Sequence, residues 1–152
     1  MHAIILVNHP GAFPPALLPY KGKSILNYVI DEVFLQKQIS HISIVATPMT
    51  HTLIAKHLAT AYPDNAFTLT VQRPDEVGEY IELDGAVYTS LRLQDLIRYY
   101  QQFKTITYAA YDKTNPQPIP FTVYPPYEKR DTRQTHTYNC GTGVCHFAYV
   151  PL

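Results

Sequence analysis

An aspartate and a glycine directly follow a short apolar run in the middle of the chain. The run covers residues 80–83, and Asp84 and Gly85 come next. If this run is a strand of a parallel sheet, Asp84 lies at its carboxyl end, which is the edge where such sheets bind ligands. Asp84 could then bind a divalent cation or a ribose hydroxyl. A structural role, in which the Asp84 side chain caps the turn at Gly85, is comparably consistent with the sequence.

Four soft metal ligands lie close together near the end of the sequence. They are His136, Cys140, Cys145 and His146. These residue types bind zinc, but the four-residue gap between the cysteines is at the loose end of known zinc-site spacings. Alternation along a strand also directs residues 145 and 146 to opposite faces. A buried cysteine in a strand is therefore the plainer interpretation.

Short apolar runs alternate with amphipathic segments through the first two-thirds of the chain. The periodicity predicts strands at residues 3–7, 41–46, 67–71, 80–83 and 106–111. It predicts helices after a Ser24 N-cap, from Thr47-Pro48 to Ala61, and from Leu93 to Phe103. This alternation is typical of an α/β, Rossmann-like and mostly parallel sheet, with right-handed crossovers and helices on both faces. We therefore expect the ligand site at the carboxyl ends of the strands.

The composition favours one domain with two unlike parts. Residues 1–113 form the predicted α/β core, whereas residues 114–152 are rich in proline, which rules out helix and indicates extended edge segments or turns. Residues 138–150 again look like a strand. The chain has 152 residues, and one core is expected at that length.

The charge pattern argues against two classes of partner. Lys plus Arg and Asp plus Glu number 12 each, and no polybasic run is present, so binding to nucleic acid or to a membrane surface is not expected. No apolar stretch reaches the length of a spanning helix, and two cysteines fit a reducing compartment, so a cytoplasmic location is expected. The 13 tyrosines, many of them in the second half, suggest a homo-oligomer or protein-partner surface there.

Several segments resemble a known family in the correct order. Residues 3–7, the Gly/Pro loop and residues 17–31 (LLPYKGKSILNYVID) resemble the opening of the sugar-1-phosphate nucleotidyltransferases, a glycosyltransferase-A-like family. Residues 80–89 and the helix after them look like the strand end with the family's "LNGD" motif. The later segments Glu128-Lys129, and 139–141 or 142–144, are similar to its "EKP" and "NAG" or "TG" segments. The resemblance implies a nucleotide-diphospho-sugar transferase-like fold.

The resemblance also implies a reaction and a set of binding residues. Members of this family let a sugar phosphate attack the α-phosphate of a nucleoside triphosphate, with release of pyrophosphate around a magnesium ion. In this chain the resemblance implies a cleft for a nucleotide or sugar nucleotide, where Asp84, two residues before the family's metal-binding position, could hold the magnesium ion. The binding residues that it implies are Asn8, Gly11, Lys21, Lys23, Asp84, Gly85, Glu128 and Lys129. For Glu128-Lys129, beside Arg130 and Asp131, a solvated turn is the more common structure.

The chain departs from the family at the positions that perform the chemistry. The loop at residues 8–14 has one glycine, two prolines and no arginine, so it is predicted to be a poor cradle for a triphosphate. Pro15 replaces the family's lysine, and Ala86 replaces its metal-binding aspartate. Only residues 73–79 replace the helix that helps to hold the base. We therefore expect a diverged protein that binds a nucleotide or sugar nucleotide with impaired or absent catalysis.

Two alternatives remain open from the sequence. The chain could be a non-enzymatic structural or regulatory protein that acts through self-association or a partner. It could also be an active Mg-dependent nucleotidyltransferase whose site residues have been substituted.

Overall fold

The computed structural model describes residues 1–75, 78–111 and 118–149. Within these ranges there are eleven strands, three α-helices and two short 3₁₀ helices, at Pro15–Leu17 and Tyr127–Lys129. The helices are α1 (Ile25–Phe34), α2 (His51–Ala61) and α3 (Leu93–Phe103). The strands are β1 (His2–Leu6), β2 (Pro19–Tyr20), β3 (Lys23–Ser24), β4 (His41–Val45), β5 (Thr68–Thr70), β6 (Tyr80–Asp84), β7 (Val87–Thr89), β8 (Ile106–Ala110), β9 (Ile119–Tyr124), β10 (Thr135–Asn139) and β11 (Cys145–Phe147).

Seven strands form one mixed, mostly parallel sheet in the order β10-β8-β9-β6-β1-β4-β5. Strand β9 runs antiparallel to both of its neighbours, and the other pairings are parallel. Strand β1 lies in the interior of the sheet, between β6 and β4, and its apolar residues Ala3, Ile4 and Ile5 are fully buried. This architecture confirms the predicted fold class.

The three helices pack against one face of this sheet. Buried side chains of α1, α2 and α3 join the same cluster as Ala3, Ile5 and Val7. On the opposite face, the small buried cluster of Ile4, Val45 and Tyr80 includes no helix residue among those described. The expected second layer of helices is thus not found in the described ranges. The physical reason is the length of the β5–β6 connection, which is too short to form a crossover helix.

Aromatic and cationic side chains lie on the face without helices. The rings of Tyr80 and Tyr124 stack with centroids 4.6 Å apart. The Arg130 guanidinium lies 4.7 Å from the centroid of the Tyr80 ring, and Arg73 forms an ion pair with Glu82. These contacts tie the β5–β6 connection and the segment after β9 to the sheet.

The starts of α1 and α2 follow local side-chain hydrogen bonds. The Ser24 hydroxyl accepts a hydrogen bond from the Asn27 amide at 3.3 Å, which confirms the predicted N-cap of α1. Helix α2 begins at His51 and not at the predicted Thr47-Pro48. The difference arises because the hydroxyls of Thr47 and Thr50 bond to each other at 2.8 Å and to each other's amides, which stabilises a separate turn.

The proline-rich part does not lie only at the edge of the sheet. Strand β9 contains Pro120, yet it lies between β8 and β6 in the interior. The β8–β9 register shifts between Tyr108 and Ala109, and such a bulge accommodates a residue that has no N–H to donate. The predicted boundary at residues 113/114 falls outside the described residues.

The last predicted strand is divided in two. Strand β10 lies at one edge of the main sheet, whereas β11 leaves it and pairs antiparallel with β7. The turn between them contains Gly141, whose φ of 71° favours glycine. Cys140 and Cys145 are not joined by a disulfide bond. The described helices have at most 11 residues, and none could cross a membrane.

Candidate functional site

Asp84 ends strand β6 beside the end of β1. Its register partner in β1 is Leu6, and the residue is 8% exposed. Oδ1 accepts a hydrogen bond from the Ala86 amide at 2.9 Å and lies 2.9 Å from His9 Nε2. Oδ2 accepts a hydrogen bond from the Tyr149 hydroxyl. Both carboxylate oxygens are therefore engaged by the protein, and the predicted capping of the Gly85 turn is present together with these other contacts.

His9 lies in the loop directly after β1. Its side chain is 12% exposed, and its ring packs against that of Tyr149 with centroids 4.4 Å apart. His9 Nδ1 is buried and has no hydrogen-bond partner among the described residues. Because Nε2 bonds to Asp84, the imidazole is held in one orientation, with Nδ1 the nitrogen that remains to accept or donate.

Strand β11 brings Tyr149 to the same place. The Ala148 amide donates to the Ala86 carbonyl at 3.0 Å, which continues the β11–β7 ladder toward the end of β6. Burial raises the pKa of Tyr149, and its hydrogen bond to the Asp84 carboxylate raises it further. The phenol therefore stays protonated near neutral pH and donates to Asp84. We call His9, Asp84, Tyr149 and the loop at residues 8–13 the Asp84 edge.

Gly85 allows the end of β6 to pack closely against β1. Its amide donates to the Leu6 carbonyl at 2.7 Å. A Cβ at this position would lie 2.6 Å from Val7 Cγ1 and 3.1 Å from the Leu6 carbonyl oxygen. Glycine is therefore needed for the close approach of the two strands, and the predicted contact of Gly85 with a ligand is untested.

Most backbone amides in the loop at residues 8–13 lack an acceptor within the described part of the chain. Among the described residues, none accepts a hydrogen bond from the amides of Asn8, His9, Gly11, Ala12 or Phe13. Gly11 has a φ of 117°, in the region that favours glycine. Asn8 and Gly11 are exposed in the loop that also carries His9, the residue in contact with Asp84, and their contact with a ligand stays a prediction. Successive amides without an acceptor, as at residues 11–13, are a feature of anion-binding loops.

The two predicted lysines lie on the β2–β3 hairpin and differ in their contacts. Lys23 forms an ion pair with Asp31 and lies over the ring of Tyr28, 4.5 Å from its centroid. Lys21 is exposed, with its ammonium 5.4 Å from the centroid of the Tyr20 ring and no carboxylate partner among the described residues. Of the two cations, Lys21 is thus the one available to an incoming anion.

Glu128 and Lys129 lie at the opposite end of the strands from Asp84. Because β9 is antiparallel, its last residue, Tyr124, pairs with Tyr80 at the start of β6. The 3₁₀ helix Tyr127–Lys129 follows, and the next residue, Arg130, donates to the Gly78 carbonyl at 3.1 Å. The structure therefore does not bring these two exposed side chains together with Asp84, which ends β6.

The four soft ligands are not assembled into a metal site. His136 stacks on Phe103 with centroids 4.2 Å apart, and His146 stacks on Tyr20 at 4.8 Å. Burial raises the pKa of the Cys140 thiol to about 11. Among the described residues, no three of the histidine, cysteine, aspartate and glutamate side chains are grouped to hold a metal ion.

Sequence reasoning missed His9 and Tyr149. His9 had one usable signal, since it follows the first predicted strand at the ligand edge of the sheet. Tyr149 had none, because its position depends on β11 leaving the main sheet to pair with β7.

The fold resembles those of solved nucleotidyltransferases. A structure described as a glucose-1-phosphate thymidylyltransferase from Bacillus anthracis matches with a TM-score of 0.70 and 11% identity, over 97% of this chain and 89% of that one. HddC from Yersinia pseudotuberculosis matches with a TM-score of 0.61 and 12% identity, over 99% and 94%. The 4-diphosphocytidyl-2C-methyl-D-erythritol synthase from Anaerococcus prevotii matches with a TM-score of 0.61 and 13% identity, over 82% of this chain and 70% of that one.

These likenesses show the fold alone. No family model and no curated protein sequence matches the chain. The chain therefore has a nucleotide-sugar nucleotidyltransferase-like fold, as the resemblance at residues 3–31 implied.

Proposed function

We propose that this protein binds a nucleotide or sugar nucleotide at the Asp84 edge and turns it over slowly or not at all. The observation that carries the proposal is the Asp84 carboxylate, which lies at the ligand edge of the sheet but is bonded to His9, Tyr149 and the Ala86 amide. The Asp84 edge thus lies where sheets of this kind bind ligands, but the Asp84 carboxylate makes its contacts within the protein.

Free donors beside Asp84 support the binding half of the proposal. The amides of Gly11, Ala12 and Phe13 lack an acceptor among the described residues and belong to exposed residues, so they are available to a phosphate group. Lys21 supplies a positive charge on the β2–β3 hairpin that has no carboxylate partner among the described residues. Two proteins of similar fold were solved with small ligands, HddC with GMP-PN and the thymidylyltransferase with sucrose.

The side chains at the Asp84 edge support the second part of the proposal, that turnover is slow or absent. A magnesium ion needs oxygen ligands in near-octahedral geometry and is held through carboxylates. Here Ala86 has no carboxylate, and both oxygens of Asp84 already accept hydrogen bonds, from the Ala86 amide and the Tyr149 hydroxyl, which compete with a cation for their lone pairs. The residues present at this edge do not fit the ion, so the chemistry that magnesium supplies in this fold is not assigned to this chain.

A thermal-shift screen tests the proposal directly. Nucleoside triphosphates, sugar phosphates and sugar nucleotides would be tested with and without magnesium, since a ligand at 100 times its Kd stabilises the native state by roughly 2.7 kcal/mol. We expect a shift with a nucleotide or sugar nucleotide that does not require magnesium. Replacing Gly11 by Pro, which removes one amide donor and the left-handed φ, should reduce the shift, whereas Gly78→Ala should leave it unchanged.

Two results would contradict the proposal. Rapid magnesium-dependent release of pyrophosphate from a triphosphate and a sugar phosphate, lost on substitution Asp84→Asn, would show an active transferase. The lack of a shift with every compound would refute binding at this edge, and the molar mass from light scattering would then test the alternative role in self-association.

A further inference from the structure

Strand β10 is an edge strand of the main sheet without the usual protection. It pairs with β8 on one side, and no strand of the described residues lies on its other side. Its sequence, THTYN, includes no charged residue and no proline. Charged residues, prolines and bulges are the usual means by which edge strands avoid pairing with other chains. Strand β10 is therefore able to accept a further strand.

The backbone of β10 presents a regular row of hydrogen-bonding groups on the side away from β8. The Cys140 amide donates to the Ala110 carbonyl at 2.8 Å, which continues the β10–β8 ladder beyond the strand. Because successive residues of a strand direct their N–H and C=O groups to opposite sides, those of Thr135, Thr137 and Asn139 point away from β8. Among the described residues, none bonds to these amides and carbonyls. All three residues are exposed.

Aromatic side chains line the helix face of the same strand. His136 and Tyr138 alternate with the exposed residues of β10 and lie on the side of α3. The His136 ring stacks on that of Phe103 with centroids 4.2 Å apart, and the Tyr138 ring lies 5.3 Å from that of Tyr99. Phe103 is 44% exposed, so this row of rings reaches the surface. Strand β10 thus offers apolar contact area in addition to backbone hydrogen bonds.

We propose that β10 pairs antiparallel with β10 of a second copy of this chain, about a two-fold axis at Thr137. In that register Thr137 faces its own counterpart, and Thr135 faces Asn139 of the other copy. These are the residues whose N–H and C=O groups point outward, so each of these pairs exchanges hydrogen bonds. His136 then faces Tyr138 of the other copy in the closer, non-hydrogen-bonded pairs, which adds aromatic contacts on the helix face.

Self-complementarity favours a second copy as the occupant. A two-fold contact joins the same patch of both copies, and pairs of threonines and of aromatic rings across strands are stabilising. Beyond the strand, this register places Arg133 opposite Gly141, and the guanidinium is already bonded to the Asp131 carboxylate, so no like charges are opposed. The formal net charge of the chain is zero, so two copies do not repel each other.

The other outer strand of the sheet, β5, is less suited to this pairing. It has only the three residues Thr68–Thr70. The chain turns directly after it, because the Thr70 hydroxyl accepts a hydrogen bond from the Gln72 amide at 3.1 Å and donates to the Gln72 carbonyl at 3.0 Å. Strand β5 therefore offers fewer outward groups than β10, and association is expected through β10.

Sedimentation velocity over a range of protein concentrations tests the proposal. We expect the wild type to change from monomer to dimer as the concentration rises, because a contact of one strand and its flanking rings is small. Thr137→Lys places like charges opposite each other at the two-fold axis, so it should raise the Kd of the dimer about tenfold or more. Thr137→Glu should do the same. An equimolar mixture of these two variants should dimerise again, because the lysine of one copy then faces the glutamate of the other.

Controls separate this contact from other causes of association. Thr52→Lys, at an exposed position of α2, adds the same charge away from β10 and should dimerise as the wild type does. Circular dichroism of both Thr137 variants should match that of the wild type, because this side chain is exposed. A wild type that stays monomeric at millimolar concentration would overturn the proposal, as would a dimer that Thr137→Lys does not weaken or an equimolar mixture that stays monomeric. The measurement needs no ligand, so its outcome does not depend on the proposed function.

Discussion

The carboxylate of Glu32, in α1, accepts a hydrogen bond at 3.1 Å from the backbone amide of Leu93, the first residue of α3. The residue before α3 is Arg92, which provides no side-chain cap. A glutamate from another helix therefore performs the capping that serine or aspartate usually performs within a helix, and its negative charge complements the helix dipole.

The first prediction concerns this cap. Glu32→Ala should lower the free energy of unfolding by about 1 kcal/mol, because an amide of the first turn of α3 loses its acceptor. Glu32→Gln should cost less, since the amide oxygen can still accept. Urea unfolding would measure both, with the exposed Glu128→Ala as the matched control, and equal stability of all four proteins would contradict the assignment.

The second prediction concerns His57, in α2. Its Nε2 lies 2.7 Å from Asn27 Oδ1, and burial lowers its pKa below 6.5. Because the unfolded chain then binds a proton more readily than the native protein, stability should fall as the pH drops below about 6.5 toward the native pKa. At higher pH the free energy of unfolding should not depend on the protonation of His57.

Urea unfolding at several pH values, compared with His57→Gln, tests the second prediction. The variant should have a flatter dependence of stability on pH between neutrality and mildly acidic conditions. His51→Gln, in the same helix, controls for the removal of an imidazole. Parallel pH profiles for the wild type and His57→Gln would show that this histidine does not carry the dependence.

The third prediction concerns the hydroxyl of Tyr149. Tyr149→Phe keeps the ring against His9 but removes a donor to the Asp84 carboxylate, so we expect a loss of about 1–2 kcal/mol in unfolding free energy. Tyr127→Phe, at a residue that is 71% exposed, should have no effect. Matching denaturation curves for Tyr149→Phe and the wild type would mean that the hydroxyl does not stabilise the native state.

The fourth prediction concerns the approach of β6 to β1. Gly85→Ala should destabilise the protein by about 1–3 kcal/mol, because the added methyl group would overlap Val7 and crowd the Leu6 carbonyl. Gly78→Ala is the matched control, since no atom lies within 4 Å of its ideal Cβ. Thermal melts of the two variants would test this, and a Gly85→Ala melt no lower than that of Gly78→Ala would refute the crowding.

The sequence predicted what depends on local pattern and missed what depends on pairing at a distance. Strand β1 and the Ser24 cap could be found because apolar runs and hydroxyl caps are local signals. The interior position of β9 could not, because proline argues for an edge and the bulge opposite Pro120 is a property of two strands. Asp84 was placed correctly at the end of β6, whereas its partners His9 and Tyr149 come from other elements.

The same limit applies to the predicted cleft. Glu128 and Lys129 were grouped with Asp84 because the resemblance ordered them along the chain. Only the antiparallel direction of β9 shows that they lie at the opposite end of the strands from Asp84.

The centre of the sheet has a consequence for how the chain must fold. Strand β1 pairs with β4 on one side, but its other neighbour, β6, follows only after α1, β4, α2 and β5, and the partner of β6, β9, comes later still. During synthesis one side of the apolar strand β1 therefore stays unpaired until much of the chain has been made. Such non-local pairing slows folding and leaves apolar strand surface exposed for longer, so we expect this chain to fold more slowly than one whose neighbouring strands are consecutive in sequence.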